Sequence, residues 1–276
     1  MSLRPRRHRR PTHCELSIYD PIPFGIDENG QPVAVTLMYR NLLAGGEPGS
    51  GKSSLLNTII AHAVLCADVK LWLFDGKIVE LGLWRPVADT FVGNTIRDAL
   101  DRLHDLQAEM DTRYRQLDAA GRRKIVKADG LDVILCVIDE LAYFSVTIGS
   151  PAEQDEFKTL VRDLVARGRA AGIIMVAATQ RPSADIIPTS LRDLFGFRVA
   201  FRCTTDSSSD IILSVGWAKE GYSARTIRPE DIGIGWILAE GGIPRRFKAA
   251  YLTDTQITAV IFAALRRRPE PGDPAA

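Results

Sequence analysis

Asn41-Leu42-Leu43-Ala44-Gly45-Gly46-Glu47-Pro48-Gly49-Ser50-Gly51-Lys52-Ser53-Ser54 is the stretch that decides the fold. A short apolar run over 41–44, of strand character, enters a glycine cluster and leaves it through a lysine and two serines. Residues 46–53 match G-x-x-x-x-G-K-[S/T] at every fixed position, with a strand expected before and a helix from near Gly51 after. Glycine lets the backbone wrap so that its N–H groups face phosphate oxygens, and the helix N-terminus adds positive potential. The ATP-binding set is therefore Gly46, Glu47, Pro48, Gly49, Ser50, Gly51, Lys52, Ser53 and Ser54. Lys52 is expected to bridge the β- and γ-phosphates and Ser53 to ligate Mg2+.

A second apolar run, Leu131–Ile138, ends in Asp139-Glu140. Asp139 is expected to hold Mg2+ through water, and Glu140 to polarise an attacking water just beyond the strand end. On its own such a run is also what any buried strand with a solvated acid at its end looks like; paired with the glycine loop it reads as the second half of one site. Kinases of small metabolites normally lack this acidic pair, so Glu140 points to hydrolysis. A third strand end, Ala177-Ala178-Thr179-Gln180-Arg181-Pro182, offers Gln180 as a residue that senses the γ-phosphate, the plainer alternative being a polar cap before a proline turn.

Outward from these three, strands and helices alternate. Strand runs are expected at 69–74, 173–178, 197–201, 235–238 and near 247–252. A long helix over 95–119 carries Ile96, Leu100, Leu103, Leu106, Met110, Tyr114 and Leu117 on one stripe. A second carries Phe157, Leu160, Val161, Leu164 and Val165, and a last begins near Asp254. Continuously apolar strands separated by helices give an α/β fold, a RecA-like P-loop NTPase core with a mainly parallel sheet and helices on both faces. Residues 1–13, with Arg4, Arg6, Arg7, Arg9 and Arg10, read as a disordered basic arm, residues 14–267 as one ATPase domain and residues 268–276 as a disordered tail.

The balance of the 276 residues is ordinary for a globular chain, 46% hydrophobic and 25% charged, so a large core can be buried. A net charge of +1 means that any nucleic-acid surface is local. Cys14, Cys66, Cys136 and Cys203 lie too far apart for a C-x-x-C metal site or a disulfide framework, which suits a reducing cytoplasm. No run reaches the length of a membrane span. The expected place of work is the cytoplasm, with recruitment to the inner face of the membrane left to a partner protein.

Beyond the loop, DELAYF at 139–144 and ARGRAAGIIMVAATQRPSADII at 166–187 resemble the FtsK/SpoIIIE family of DNA translocases. Asp75, Lys77, Glu80 and Leu81 resemble its D-P-K-x-x-E-L segment, with Gly76 in place of proline, and Glu109, Met110, Arg113 and Tyr114 its E-M-x-x-R-Y helix. The likeness covers about 22–253 and is nearest to short members that transfer double-stranded plasmid DNA between filamentous bacteria. It implies a ring, usually hexameric, with ATP at subunit interfaces and an arginine reaching in from the neighbour. Arg198 is the matching position, Arg181 its rival; read without the family, Arg198 is a strand arginine in an ion pair.

The resemblance also implies DNA contact through two pore loops. Basic residues of the first fall here on Asp206 and Asp210; the second falls on 242–246 and keeps Arg245 and Arg246 as the DNA-binding pair, with Arg202, Lys219, Arg225 and Arg228 as possible compensation. The family's membrane segment, its preceding subdomain and its C-terminal winged helix have no counterpart in the sequence, so loading is not expected to be sequence-directed. Three readings follow: an ATP-hydrolysing motor on double-stranded DNA, a type VII secretion-like ATPase that moves protein, and an ATP-gated interaction protein that moves nothing.

Overall fold

The computed structural model describes residues 16–266; the basic arm 1–13, Cys14 and the tail 268–276 lie outside the described residues. In chain order the elements are β1 (Ile22–Asp27), β2 (Pro32–Val35), β3 (Leu42–Gly45), α1 (Lys52–Val64), β4 (Val69–Phe74), β5 (Thr90–Val92), α2 (Ile96–Ala119), β6 (Val133–Ile138), α3 (Pro151–Arg167), β7 (Ile173–Thr179), α4 (Thr189–Arg192), β8 (Phe197–Phe201), α5 (Asp206–Leu213), β9 (Ile234–Ala239), β10 (Arg245–Ala249) and α6 (Asp254–Leu265). Short 3-10 turns and one π turn join them.

Every residue of β3, β6 and β7 is buried, as β-branched and apolar runs must be when both faces of a sheet are covered. These strands sit mid-sheet in the order β2-β1-β10-β9-β8-β3-β7-β6-β4-β5. From β8 to β5 all neighbours are parallel. From β8 outward through β9, β10, β1 and β2 they are antiparallel. The expected sheet was mainly parallel; the antiparallel wing is larger than the apolar runs suggested. Its outer strands alternate buried with exposed residues, because they cover the core with one face only.

α1 and α6 cover one face, where Leu55, Leu56, Ile59 and Ile60 meet Ile257 and Ile261 in the larger core. On the other face Leu100, Leu103 and Leu106 of α2 pack with Phe157, Leu160 and Val161 of α3. Each such side chain removed from water stabilises by about 1.5–3 kcal/mol before chain entropy is set against it. Ser150 starts α3, its hydroxyl accepting from Glu153 N while the Glu153 carboxylate accepts from Ser150 N at 2.9 Å, with Pro151 at the first helical position. Fully buried Asn41 ties the layers together: its amide donates to the Val165 carbonyl at 2.7 Å and its oxygen accepts from Met175 N at 2.8 Å.

Candidate nucleotide site

Phosphate-loop geometry begins at the end of β3. Gly46, Gly49 and Gly51 all have positive φ, at 151°, 71° and 119°. At Gly51 a Cβ would lie 2.5 Å from the Gly233 Cα, so close approach as well as conformation demands glycine. The Ser50 hydroxyl donates to the Glu47 carbonyl at 2.6 Å, closing the turn. Lys52 is buried and donates to the carbonyls of Gly46 at 2.7 Å and Glu47 at 3.1 Å. Burial pulls its pKa down to about 8, against the opposing pull of the Glu140 and Asp139 carboxylates.

Sheet order explains how the acids arrive. β7 lies between β3 and β6, with Gly45 opposite Thr179 and Ile138 opposite Ala177. Continuing that register sets Glu140 level with Thr179. The Thr179 hydroxyl donates to Glu140 Oε1 at 2.6 Å, and the Gln180 N–H donates to Oε2 at 2.8 Å. The Thr179 carbonyl accepts from Gly46 N at 3.3 Å. One strand end thus holds both the loop and the candidate base. Gln180, partly buried, contributes its backbone to this link and stands at the β7 edge beside Glu140.

Asp139 is 3% exposed, and its Oδ2 has no hydrogen-bond partner. Burial, then the carboxylates of Glu80 and Asp75, push its pKa up to about 7, with Lys77 opposing. A buried carboxylate oxygen without a partner is costly unless a cation or water meets it. Ser53 stands on the first turn of α1, and its hydroxyl donates to Glu80 Oε2 at 3.2 Å. This donor set fits a hydrated Mg2+, which takes few protein oxygens and relies on waters and phosphate for the rest. Among the described residues no cluster of three His, Cys, Asp or Glu stands ready to hold a metal without such help.

Glu80 is a site residue that the sequence reading quoted without giving it work. Asp75, fully buried, accepts from the N–H groups of Lys77, Ile78 and Leu81 and so folds 75–81 into a tight loop. Ile78 takes a φ of 68°, strained for a β-branched residue. The loop delivers Glu80 to Ser53 and sets Lys77 3.7 Å from Glu80. An acid ending the strand beside β6 was the available signal.

Arg198 is not brought to this site. It pairs in register with Leu43, two residues before the β3 edge. Its Nη1 donates to Ser214 Oγ at 2.7 Å and lies 3.6 Å from Asp193, while its buried Nε has no partner. Burial lowers its pKa. Ser214, at a φ of 121°, holds a conformation that L-residues avoid. Arg181 instead follows Gln180 at the β7 edge and is exposed.

Arg245 and Arg246 open strand β10 and do not lie in a free loop as expected; the β9–β10 connection itself is 240–244. Arg245 meets Asp27, the last residue of β1, at 3.3 Å, and Arg246 meets Glu28 of the β1–β2 turn at 3.2 Å. Asp206 and Asp210, where basic residues of the first pore loop were expected to fall, are both engaged. Asp206 accepts from Ser223 Oγ at 2.5 Å and pairs with Arg225 at 3.5 Å. Asp210 accepts from Gly216 N and Ala218 N, each at 2.9 Å, and shapes the loop after α5. Arg228 is paired with Asp231 at 3.0 Å and with Glu230 at 3.4 Å. Of the described cysteines, Cys66, Cys136 and Cys203 are free thiols. No helix among the described residues is long and apolar enough to cross a membrane.

Structures of known proteins share this architecture. The pCW3 conjugation coupling protein TcpA, solved with ATPgS, superposes with a TM-score of 0.78 at 23% identity, over 91% of this chain and 71% of that one. The type VII secretion ATPase EccC of Thermomonospora curvata gives 0.72 at 21% identity, over 96% of this chain and 32% of its own. In sequence, the DNA translocase FtsK of Treponema pallidum is 31% identical over 267 residues, 87% of this chain and 31% of the relative. That of Corynebacterium glutamicum is 31% identical over 278 residues, covering 90% of this chain and 29% of the relative. The chain thus spans less than a third of the length of these relatives. The sequence model of the FtsK/SpoIIIE family matches residues 3–133, the strand, loop and helix around Lys52 included, and the relatives extend the match across the strand that ends in Asp139 and Glu140. Over residues 3–133 the chain resembles the FtsK/SpoIIIE family, and its likeness to DNA translocases of that name runs over 87–90% of the chain.

Proposed function

We propose that this chain is the ATP-hydrolysing core of a motor that translocates double-stranded DNA, in the setting of plasmid or mobile-element transfer between cells. One observation carries the reading. The phosphate loop, the partnerless Asp139 oxygen and the tethered Glu140 carboxylate are gathered at the C-terminal ends of the central strands β3, β6 and β7, in a chain whose relatives are named as DNA translocases. ATP would sit on the loop, with Lys52 on its phosphates and Mg2+ held by Ser53 and, through water, Asp139; the metal would neutralise charge on the phosphates. Glu140 accepts a proton from the attacking water, and Gln180 reports the γ-phosphate to it. Arg198 supplies positive charge to a neighbouring subunit of a homo-hexamer, Arg181 being the rival. Residues 1–13, 14–267 and 268–276 act as arm, motor domain and tail, working in the cytoplasm with a partner protein that recruits the ring to the inner face of the membrane.

DNA contact rests on Arg245 and Arg246. Each guanidinium has five N–H donors and spends few on its acid, so phosphate oxygens can share the rest. The same pairing with Asp27 and Glu28 also favours a second reading, protein cargo, because it removes net positive charge from that surface. The likeness to EccC fits that reading in fold. ATPase assays of the assembled protein with and without duplex DNA separate the two. Stimulation by unrelated duplexes, absent from Lys52→Ala, is the expected result; hydrolysis indifferent to DNA at low salt sinks the DNA reading and leaves protein cargo or an ATP-gated interaction.

A further inference from the structure

A carboxylate inside an anion-binding loop is a contradiction that the structure resolves. Glu47 is the second residue of the loop, and its side chain pairs with the guanidinium of Arg202, the residue directly after β8. Glu47 N also donates to the Arg202 carbonyl at 2.8 Å. The Glu47 carbonyl accepts from Ser50 Oγ and Lys52 Nζ. Beneath them a Cβ on Gly46 would approach Phe201 Cβ to 2.9 Å, so the end of β8 lies hard against the first turn of the loop. Arg202, counted from sequence as a candidate for DNA, is committed here instead.

We propose that Arg202 is a nucleotide-positioning residue, neutralising Glu47 and fastening the first turn of the phosphate loop to β8. The inference rests on the nucleotide-binding reading of the loop. Without Arg202, a partly buried carboxylate stands uncompensated within the loop that is to hold a polyanion, where one unit charge would alter affinity by about tenfold. Without Glu47 the sign reverses, and Arg202 adds attraction.

The experiment is calorimetric titration of ATPγS with Mg2+ into the wild type, Arg202→Gln, Glu47→Gln, the double variant and Arg202→Lys, at low and high salt. Expected are a roughly tenfold loss for Arg202→Gln, a gain of about threefold for Glu47→Gln, and recovery of the double variant to within about threefold of wild type. Arg202→Lys keeps the charge and is expected within about threefold of wild type. These differences shrink as salt rises, which a purely steric fastening would not do. The proposal is overturned if Arg202→Gln binds within twofold of wild type, or if the double variant is no better than Arg202→Gln. If Arg202→Gln does not fold, loss of affinity in Glu47→Gln or in Arg202→Lys overturns it equally. Wild type that fails to bind ATPγS is a different result, and refutes the nucleotide site itself.

Discussion

Replacing Asp139 by asparagine is expected to make the nucleotide-free protein more stable and the enzyme dead. Burial pushes the Asp139 carboxyl from 3.8 up to about 7, so the folded state holds this proton more tightly than the unfolded chain does. The sign follows by linkage: stability falls as pH rises through the interval from 3.8 to about 7 and is lowest above it. Three pKa units at about 1.4 kcal/mol each set a ceiling of about 4 kcal/mol on the destabilisation at pH 8. Some two units of that appear between pH 5 and pH 8, or about 2–3 kcal/mol. Asparagine carries no charge to desolvate, although a poorly satisfied amide returns roughly 1–3 kcal/mol of the gain. Urea unfolding of both proteins at pH 5 and pH 8, without nucleotide or Mg2+, measures the difference. Asp139→Asn is expected to lose less stability than wild type between the two pH values, by about 2–3 kcal/mol. An equal change in both proteins would refute a desolvated, partnerless carboxylate at this position. With Mg2+ and ATP the order reverses, since only wild type gains from the metal.

Glu140→Gln keeps an oxygen to accept from Thr179 or Gln180, so nucleotide binding is expected within a few-fold of wild type while turnover falls roughly 10²–10⁴-fold, read by single-turnover hydrolysis. Arg198→Ala is expected to lower kcat with little change in KM, because a finger acts on transition-state charge. Mixed rings of Arg198→Ala with Glu140→Gln subunits then recover activity; their failure to do so in verified hetero-rings points to Arg181 or to a cis role. Removing Arg245 and Arg246 together is expected to flatten the slope of log affinity against log salt by up to about two units on any duplex. An unchanged slope moves the DNA surface elsewhere.

What the sequence determined by itself is the part written in local chemistry. A loop of fixed glycines before a lysine has one common use, and its register with the flanking strand and helix follows from chain continuity, so residues 46–53 were legible at once. Asp139 and Glu140 were legible because an apolar run long enough to be a buried strand ends on them. The parallel strands other than β5, the helix over 96–119, the apolar stripe of the helix that carries Phe157 to Val165 and the start of the last helix at Asp254 follow from hydrophobic periodicity in the same way. Tertiary structure decided what depends on residues far apart in sequence. β1 and β2 are short and alternating, and the place of β1 beside β10, which carries β2 with it to the outside, comes from pairing across more than two hundred residues, which no local pattern encodes. Glu80 becomes a site residue because β4 lies beside β6 and Asp75 turns the loop back onto α1. Sequence gives Arg245, Arg246, Asp206 and Asp210 as charges at loop positions and names no partner for them; folding gives each a nearby one, and a charge's meaning depends on what lies within a few ångströms of it.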